Sequence, residues 1–255
     1  MNLALFFEGT GQGVHGKKTN VSLVYEACVA DEAQLCHLEN GPGAKIGSLL
    51  LGGAAGVGWR VIFARARRWF ETNYSRRCPP SPLLSTYPKV FLFGFSRGAL
   101  LARHFAAWLD KLGVEVTYMG LWDTVDAIPD LNVSEECPTN VRRARHAVAE
   151  HEARRFFAYV PLKGDVVEEE LFPGAHSDVG GLYEDNHVLA DFAREWVAAP
   201  AIEAGLRTSH LLTSPPSHLP EPVRHDSRRL ISNLWGLLGT ARRIFPERMK
   251  RHYAQ

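Results

Sequence analysis

The sequence predicts an α/β fold: a mostly parallel sheet with helices on both faces. Three observations predict it. Lys89 to Phe93 (KVFLF) is an apolar run of buried-strand character, followed by the glycine-flanked turn Gly94 to Gly98 (GFSRG). From Ala99 onward apolar residues recur at helical spacing, through Leu100, Leu101, Phe105, Trp108 and Leu109. A second apolar run, Leu3 to Phe7, also breaks at a glycine-rich turn, and strand and helix patterns alternate through the chain without internal repeats.

In order, Leu3 to Phe7 reads as the first strand. The turn after it, Gly9-Thr10-Gly11-Gln12-Gly13, contains G-x-G but lacks the continuation of a phosphate-binding loop. Asn20 to Ala30 reads as a helix with Asn20 as N-cap. Gly41 to Gly58 is glycine-rich with an apolar centre, and reads either as a surface loop or as a lid with an apolar tip. Trp59 to Tyr74 is an amphipathic helix with arginines outward, and Ser75 to Pro88 is a loop rich in Pro and Ser. Val114 to Leu121 reads as a strand ending at Trp122-Asp123-Thr124-Val125, and Asp130 to Thr139 as turns. Asn140 to Phe157 reads as a charged helix, and Glu168 to Phe172 as a strand ending at PGAHSDVGG. Leu189 to Ala198 reads as a helix.

Leu230 to Phe245 again has apolar residues at helical spacing, followed by Pro246, Arg248, Lys250 and Arg251. Two fates suit such a segment: resting on an anionic membrane surface, or packing on the domain. The chain therefore divides into residues 1–225, the domain of alternating strands and helices, and residues 226–255, a basic helical extension packed on the same domain.

Composition narrows the classes. The 255 residues are 45% hydrophobic and 22% charged, which suits a chain with a sizeable core. A formal net charge of +1, with no basic stripe interleaved with aromatics, argues against a nucleic-acid partner. Cys28, Cys36, Cys78 and Cys137 show no C-x-x-C pairing, so they read as reduced thiols. No H-E-x-x-H or clustered Cys/His spacing is present, and neither a metal nor another cofactor is expected. Met1 to Phe7 is apolar but lacks a basic region before it, and no apolar run reaches bilayer length, so synthesis as a cytoplasmic chain is expected.

Strand, tight turn and helix in that order are the context that makes G-x-S-x-G a nucleophile elbow, with Ser96 as the nucleophile. A serine hydroxyl needs a histidine base and a carboxylate that orients it. The chain order serine, acid, histidine is met by Ser96, Asp123 and His176, each at the end of a predicted strand. Among eleven histidines His225 competes with His176, and Asp178 competes with Asp123. Backbone N–H groups of Gly9, Thr10 and Arg97 are the candidate oxyanion donors.

FFEGTGQ, NVSLVYEA, FLFGFSRGALLAR, GLWDTVDA, FPGAHSDVGGLY and HDS, in that order, resemble the DUF2235 α/β-hydrolase family, which includes Tle1-type phospholipase effectors of type VI secretion. The resemblance implies a lipase or esterase with serine Ser96 and histidine His176, its acid falling on Asp123. It further implies a phospholipid membrane as substrate, a secretion-system carrier and a cognate immunity protein. Glu8 stands where the family usually has Asp. Two other readings fit the residues: an esterase or thioesterase for small soluble substrates, and a non-catalytic module on the same scaffold.

Overall fold

The stretches Asn2–Phe7 and Lys89–Phe95 carry large apolar side chains on alternate faces, and each face collects its own helices. The computed structural model describes residues 1–9, 18–41, 58–76, 87–126, 128, 130–155, 157–209, 221–226, 243–246 and 249–252. Its elements in chain order are β1 (Asn2–Phe7), α1 (Asn20–Ala27), β2 (Gln34–Glu39), α2 (Trp59–Ser75), β3 (Lys89–Phe95) and α3 (Arg97–Lys111). There follow β4 (Tyr118–Trp122), β5 (Ala144–Ala149), β6 (Val167–Phe172), α4 (His176–Gly180), α5 (Val188–Glu203) and β7 (Lys250–Arg251). Among the described residues these strands form one sheet in the order β2-β1-β3-β4-β5-β6-β7, every neighbouring pair parallel.

Leu3, Leu5 and Phe7 of β1 and Val90 and Leu92 of β3 pack with Ile62 and Phe70 of α2 and Leu101 and Phe105 of α3. Their alternates, Ala4, Phe6, Phe91, Phe93 and Phe95, pack with Val21 and Val24 of α1 and Val197 and Ala201 of α5 on the other face. This is the period-2 alternation of a strand covered on both sides. The chain reverses its direction of travel across the sheet between β1 and β3. Their carboxyl ends therefore open the crevice where sheets of this kind place their sites.

Several elements differ from the sequence reading. The charged helix expected over Asn140 to Phe157 is replaced by β5. Its alanines favour helix, but the slot between β4 and β6 supplies partners for its polar side chains: Arg145 pairs with Glu168 at 2.7 Å and His146 with Glu169 at 2.7 Å. β2 was not expected because its alternation is weak, as befits a half-buried edge strand. The cap of α1 is Thr19, not Asn20. Asn20 turns inward and donates to the carbonyls of Val179 and Ala190, both at 2.9 Å, tying α1 to α4 and α5.

Thr10, the centre of the glycine-rich segment (42–57), most of the Pro/Ser-rich loop (77–86) and residues 227–242 of the extension lie outside the described residues. Farther along, Phe245 and Met249 pack with Tyr159, Val148 and Leu171. β7 then pairs with β6, and Arg251 meets Glu150 at 2.7 Å. Cys28, Cys36 and Cys137 carry free thiols.

One contact fixes the crossing of α3 over β1. A methyl group at Gly98 would lie 2.1 Å from the carbonyl oxygen of Phe7 and 2.4 Å from that of Glu8. Gly98→Ala is expected to lower stability by about 3 kcal/mol, despite alanine's better helix propensity, because backbone must move to admit it. Urea denaturation of the two proteins side by side measures the loss.

Candidate active site

The chain leaves β3 through Ser96, whose φ of 59° and ψ of −126° belong to a region that residues with a side chain rarely adopt. Such backbone costs about 1–3 kcal/mol and persists only where the surroundings enforce it. They do so here: Ser96 N–H donates to the Trp122 carbonyl at 3.0 Å, and a methyl at Gly94 would meet Ala99 Cα at 2.6 Å. Ser96 occupies the N-cap of α3, yet its hydroxyl makes no capping bond. The hydroxyl turns instead to His176, with Oγ 2.9 Å from Nε2.

His176 is the first residue of α4, and its Nδ1 lies 2.6 Å from Asp123 Oδ2. An ionised carboxylate only accepts, so Nδ1 carries the proton and Nε2 is left to accept from the Ser96 hydroxyl. Asp123 follows β4 with a φ of 38°, anchored by its N–H on the Ala147 carbonyl at 2.8 Å. Its Oδ1 accepts the Ala149 N–H at 2.9 Å. The imidazole is stacked on Phe95 at 4.6 Å between centroids and met edge-on by Phe157 at 4.9 Å. All three polar residues are buried.

Burial pushes the His176 imidazole below its ordinary value, and the bond to Asp123 opposes this only in part. Burial would likewise push the Asp123 carboxyl up, but the Arg243 guanidinium and His176 outweigh it and hold the group well below the usual carboxylate range. Arg243 is bidentate on Asp123, at 2.6 Å to Oδ1 and 3.0 Å to Oδ2. The sequence reading missed it: nothing in Leu230 to Phe245 singles out one arginine as buried.

The competing residues are engaged elsewhere. His225 Nδ1 is 2.5 Å from Asp178 Oδ1, its Nε2 is 3.1 Å from Asp185, and its ring stacks on Tyr183. Asp178 also accepts the Ala175 N–H at 2.8 Å, which fixes the turn that begins α4 and so places His176. His146, within the stretch expected to be a charged helix, is buried in β5. Its Nε2 accepts the Thr124 N–H at 3.0 Å, steadying the residue after Asp123.

Of the candidate oxyanion donors, Arg97 is the first residue of α3, where backbone N–H groups have no partner within the helix. Gly9 lies against the nucleophile, since a methyl there would come within 3.3 Å of Ser96 Cβ. Its N–H is directed at Glu8 Oε2, 3.2 Å away, and the same carboxylate accepts the Thr19 hydroxyl at 2.8 Å. Burial pushes the Glu8 carboxyl up. Among the described residues no group of three or more His, Cys, Asp or Glu is placed to hold a metal ion, and no helix is long and apolar enough to cross a membrane.

A parallel, doubly wound sheet with serine, histidine and carboxylate in hydrogen-bonded line at its carboxyl edge is the arrangement of the α/β-hydrolase fold. The chain belongs to the family described as "T6SS, Phospholipase effector Tle1-like, catalytic domain", whose model matches residues 1–115 and 113–200. Among solved structures, an uncharacterized protein from Pseudomonas aeruginosa is similar at 19% identity with a TM-score of 0.58, covering 85% of this chain and 48% of that one. The Tle1 effector bound to the VgrG spike of a type 6 secretion system is similar at 20% identity with a TM-score of 0.51, covering 72% of this chain and 51% of that one. The chain thus spans about half the length of each. No curated protein sequence matches it.

The two histidine–carboxylate pairs have opposite electrostatics. Burial works to lower His225 too, but its bonds to Asp178 and Asp185 prevail and raise it. In an NMR titration His176 is expected to gain its proton below the free-imidazole value of about 6.5, and His225 above it. The reverse order would contradict this arrangement.

Proposed function

We propose that the protein is a serine esterase acting on phospholipid acyl esters. The observation that carries the reading is His176 held between Ser96 Oγ and Asp123 Oδ2, at 2.9 and 2.6 Å. Ser96 Oγ attacks the ester carbonyl while His176 Nε2 takes its proton, and Asp123 stabilises the imidazolium through Nδ1–H. The tetrahedral oxyanion is held by the Arg97 N–H, at the start of α3. His176 then gives the proton to the departing alcohol oxygen, leaving an acyl-serine. Water, deprotonated by the same nitrogen, attacks that ester; the fatty acid leaves and Ser96 regains its proton.

Family membership supports phospholipid as the substrate class and delivery by type VI secretion as the protein's route. A spike component such as the VgrG seen with the similar effector would be the carrier, and a cognate immunity protein would guard the producing cell. The side chain of Arg97 supports a phosphate-bearing substrate. It lies one residue from the nucleophile, and among the described residues its buried Nη1 has no hydrogen-bond partner.

Release of fatty acid from phospholipid vesicles by purified protein is the direct test. Ser96→Ala and His176→Ala are each expected to lower the rate by roughly 10³-fold or more. Activity that survives both changes overturns the reading, and cleavage of short soluble esters alone removes the membrane substrate. Arg97→Ala keeps the backbone N–H. It is expected to raise KM about tenfold for a phospholipid and to leave a neutral short ester nearly unchanged.

A further inference from the structure

The guanidinium of Arg243 is spent entirely inside the protein. Its five N–H donors are matched by five bonds: Nε to the Phe157 carbonyl at 3.1 Å, Nη1 to Asp123 Oδ1 at 2.6 Å and to the Ala149 carbonyl at 3.0 Å, Nη2 to Asp123 Oδ2 at 3.0 Å and to the Phe157 carbonyl at 2.6 Å. The side chain is 6% exposed. No donor remains for a substrate, so this arginine serves the protein's own carboxylate. Asp123 in turn accepts two bonds on each oxygen: Ala149 N–H and Arg243 on Oδ1, His176 and Arg243 on Oδ2.

We infer that Arg243 is a positioning residue of the catalytic triad, clamping Asp123 in plane and supplying the positive charge that lets a fully buried carboxylate stay ionised; this rests on the triad reading proposed above. The residues around it are arranged to hold that clamp. Phe245, two residues on, packs its ring against Tyr159 at 5.6 Å, and β7 ties the segment to β6. Phe157, whose carbonyl takes two of the bonds, presents its ring to His176. One guanidinium thus joins the loop after β4, the end of β5 and the wall of the histidine pocket.

The charge has a directional consequence. The groups facing the pair are Arg243 on Asp123, and Glu152 and Arg154 near His176, where Glu152 accepts the His176 N–H at 3.2 Å and pairs with Arg154. Glu152 and Arg154 offset each other, which leaves Arg243 as the cation bonded to the triad acid. Removing it exposes a buried Asp–His pair of net charge −1, which binds a proton more readily whichever atom receives it. The base is then blocked at a higher pH.

The experiment follows the rate of fluorophosphonate labelling at Ser96 against pH for wild type, Arg243→Gln, Arg243→Lys and Ser96→Ala, with circular dichroism to verify folding. Arg243→Gln is expected to label at least tenfold more slowly at pH 7 and to recover at higher pH, its acid limb raised by about one to two units. Arg243→Lys keeps the charge but loses the fork, so its limb stays in place while its maximal rate falls several-fold. A wild-type profile for Arg243→Gln, or a uniform loss with an unmoved limb, overturns the inference. If the Gln variant does not fold, Arg243→Lys decides: an unchanged rate or a moved limb overturns it. Labelling that persists in Ser96→Ala would sink the triad reading itself, whereas its loss there alongside an indifferent Arg243→Gln sinks only the role of Arg243.

Discussion

A carboxylate without exposed surface keeps its charge only where donors and a cation replace the water it has lost, and Asp123 imposes that requirement on distant parts of the chain. Its backbone is pinned by β5, its oxygens are filled from Ala149, His176 and Arg243, and the residue after it is held by His146. β5 is held in its place by carboxylates on β6 that pair with Arg145 and His146. The result is a layered arrangement. Side-chain pairs between β5 and β6 support the strand that supports the acid, and the acid supports the histidine.

The opposite side of the site rests on steric closeness. β1, β3 and α3 approach so tightly around Ser96 that methyl groups at Gly94 or Gly98 would overlap backbone atoms. That closeness holds the serine in its costly backbone conformation and frees its hydroxyl from capping duty. Rigid backbone on one flank and matched charge on the other leave His176 as the group between them, with Phe95 and Phe157 limiting its rotation.

The legible parts of the sequence were those whose physics is local. β1, β3 and α3 announce themselves because apolar periodicity and glycine spacing are properties of short stretches, and Ser96, Asp123 and His176 fall at strand ends that this periodicity locates. β5 was misread because ARHAVA carries helix-favouring alanines, and its strand character comes from neighbours distant in sequence. Arg243 was invisible for the same reason: nothing around ARRIF marks one arginine as buried against a carboxylate 120 residues earlier. Asp178 and His225 looked like rivals because sequence shows residue type and spacing but not which partner a side chain has already taken.

The order in which the chain is made bears on the arginine's late position. A growing polypeptide presents Ser96, Asp123 and His176 well before residue 243 exists, and β7 follows still later. In that interval the buried acid lacks its counter-charge and the sheet lacks an edge. Until residue 243 has been made, Asp123 has no guanidinium to meet it, however much of the sheet has formed.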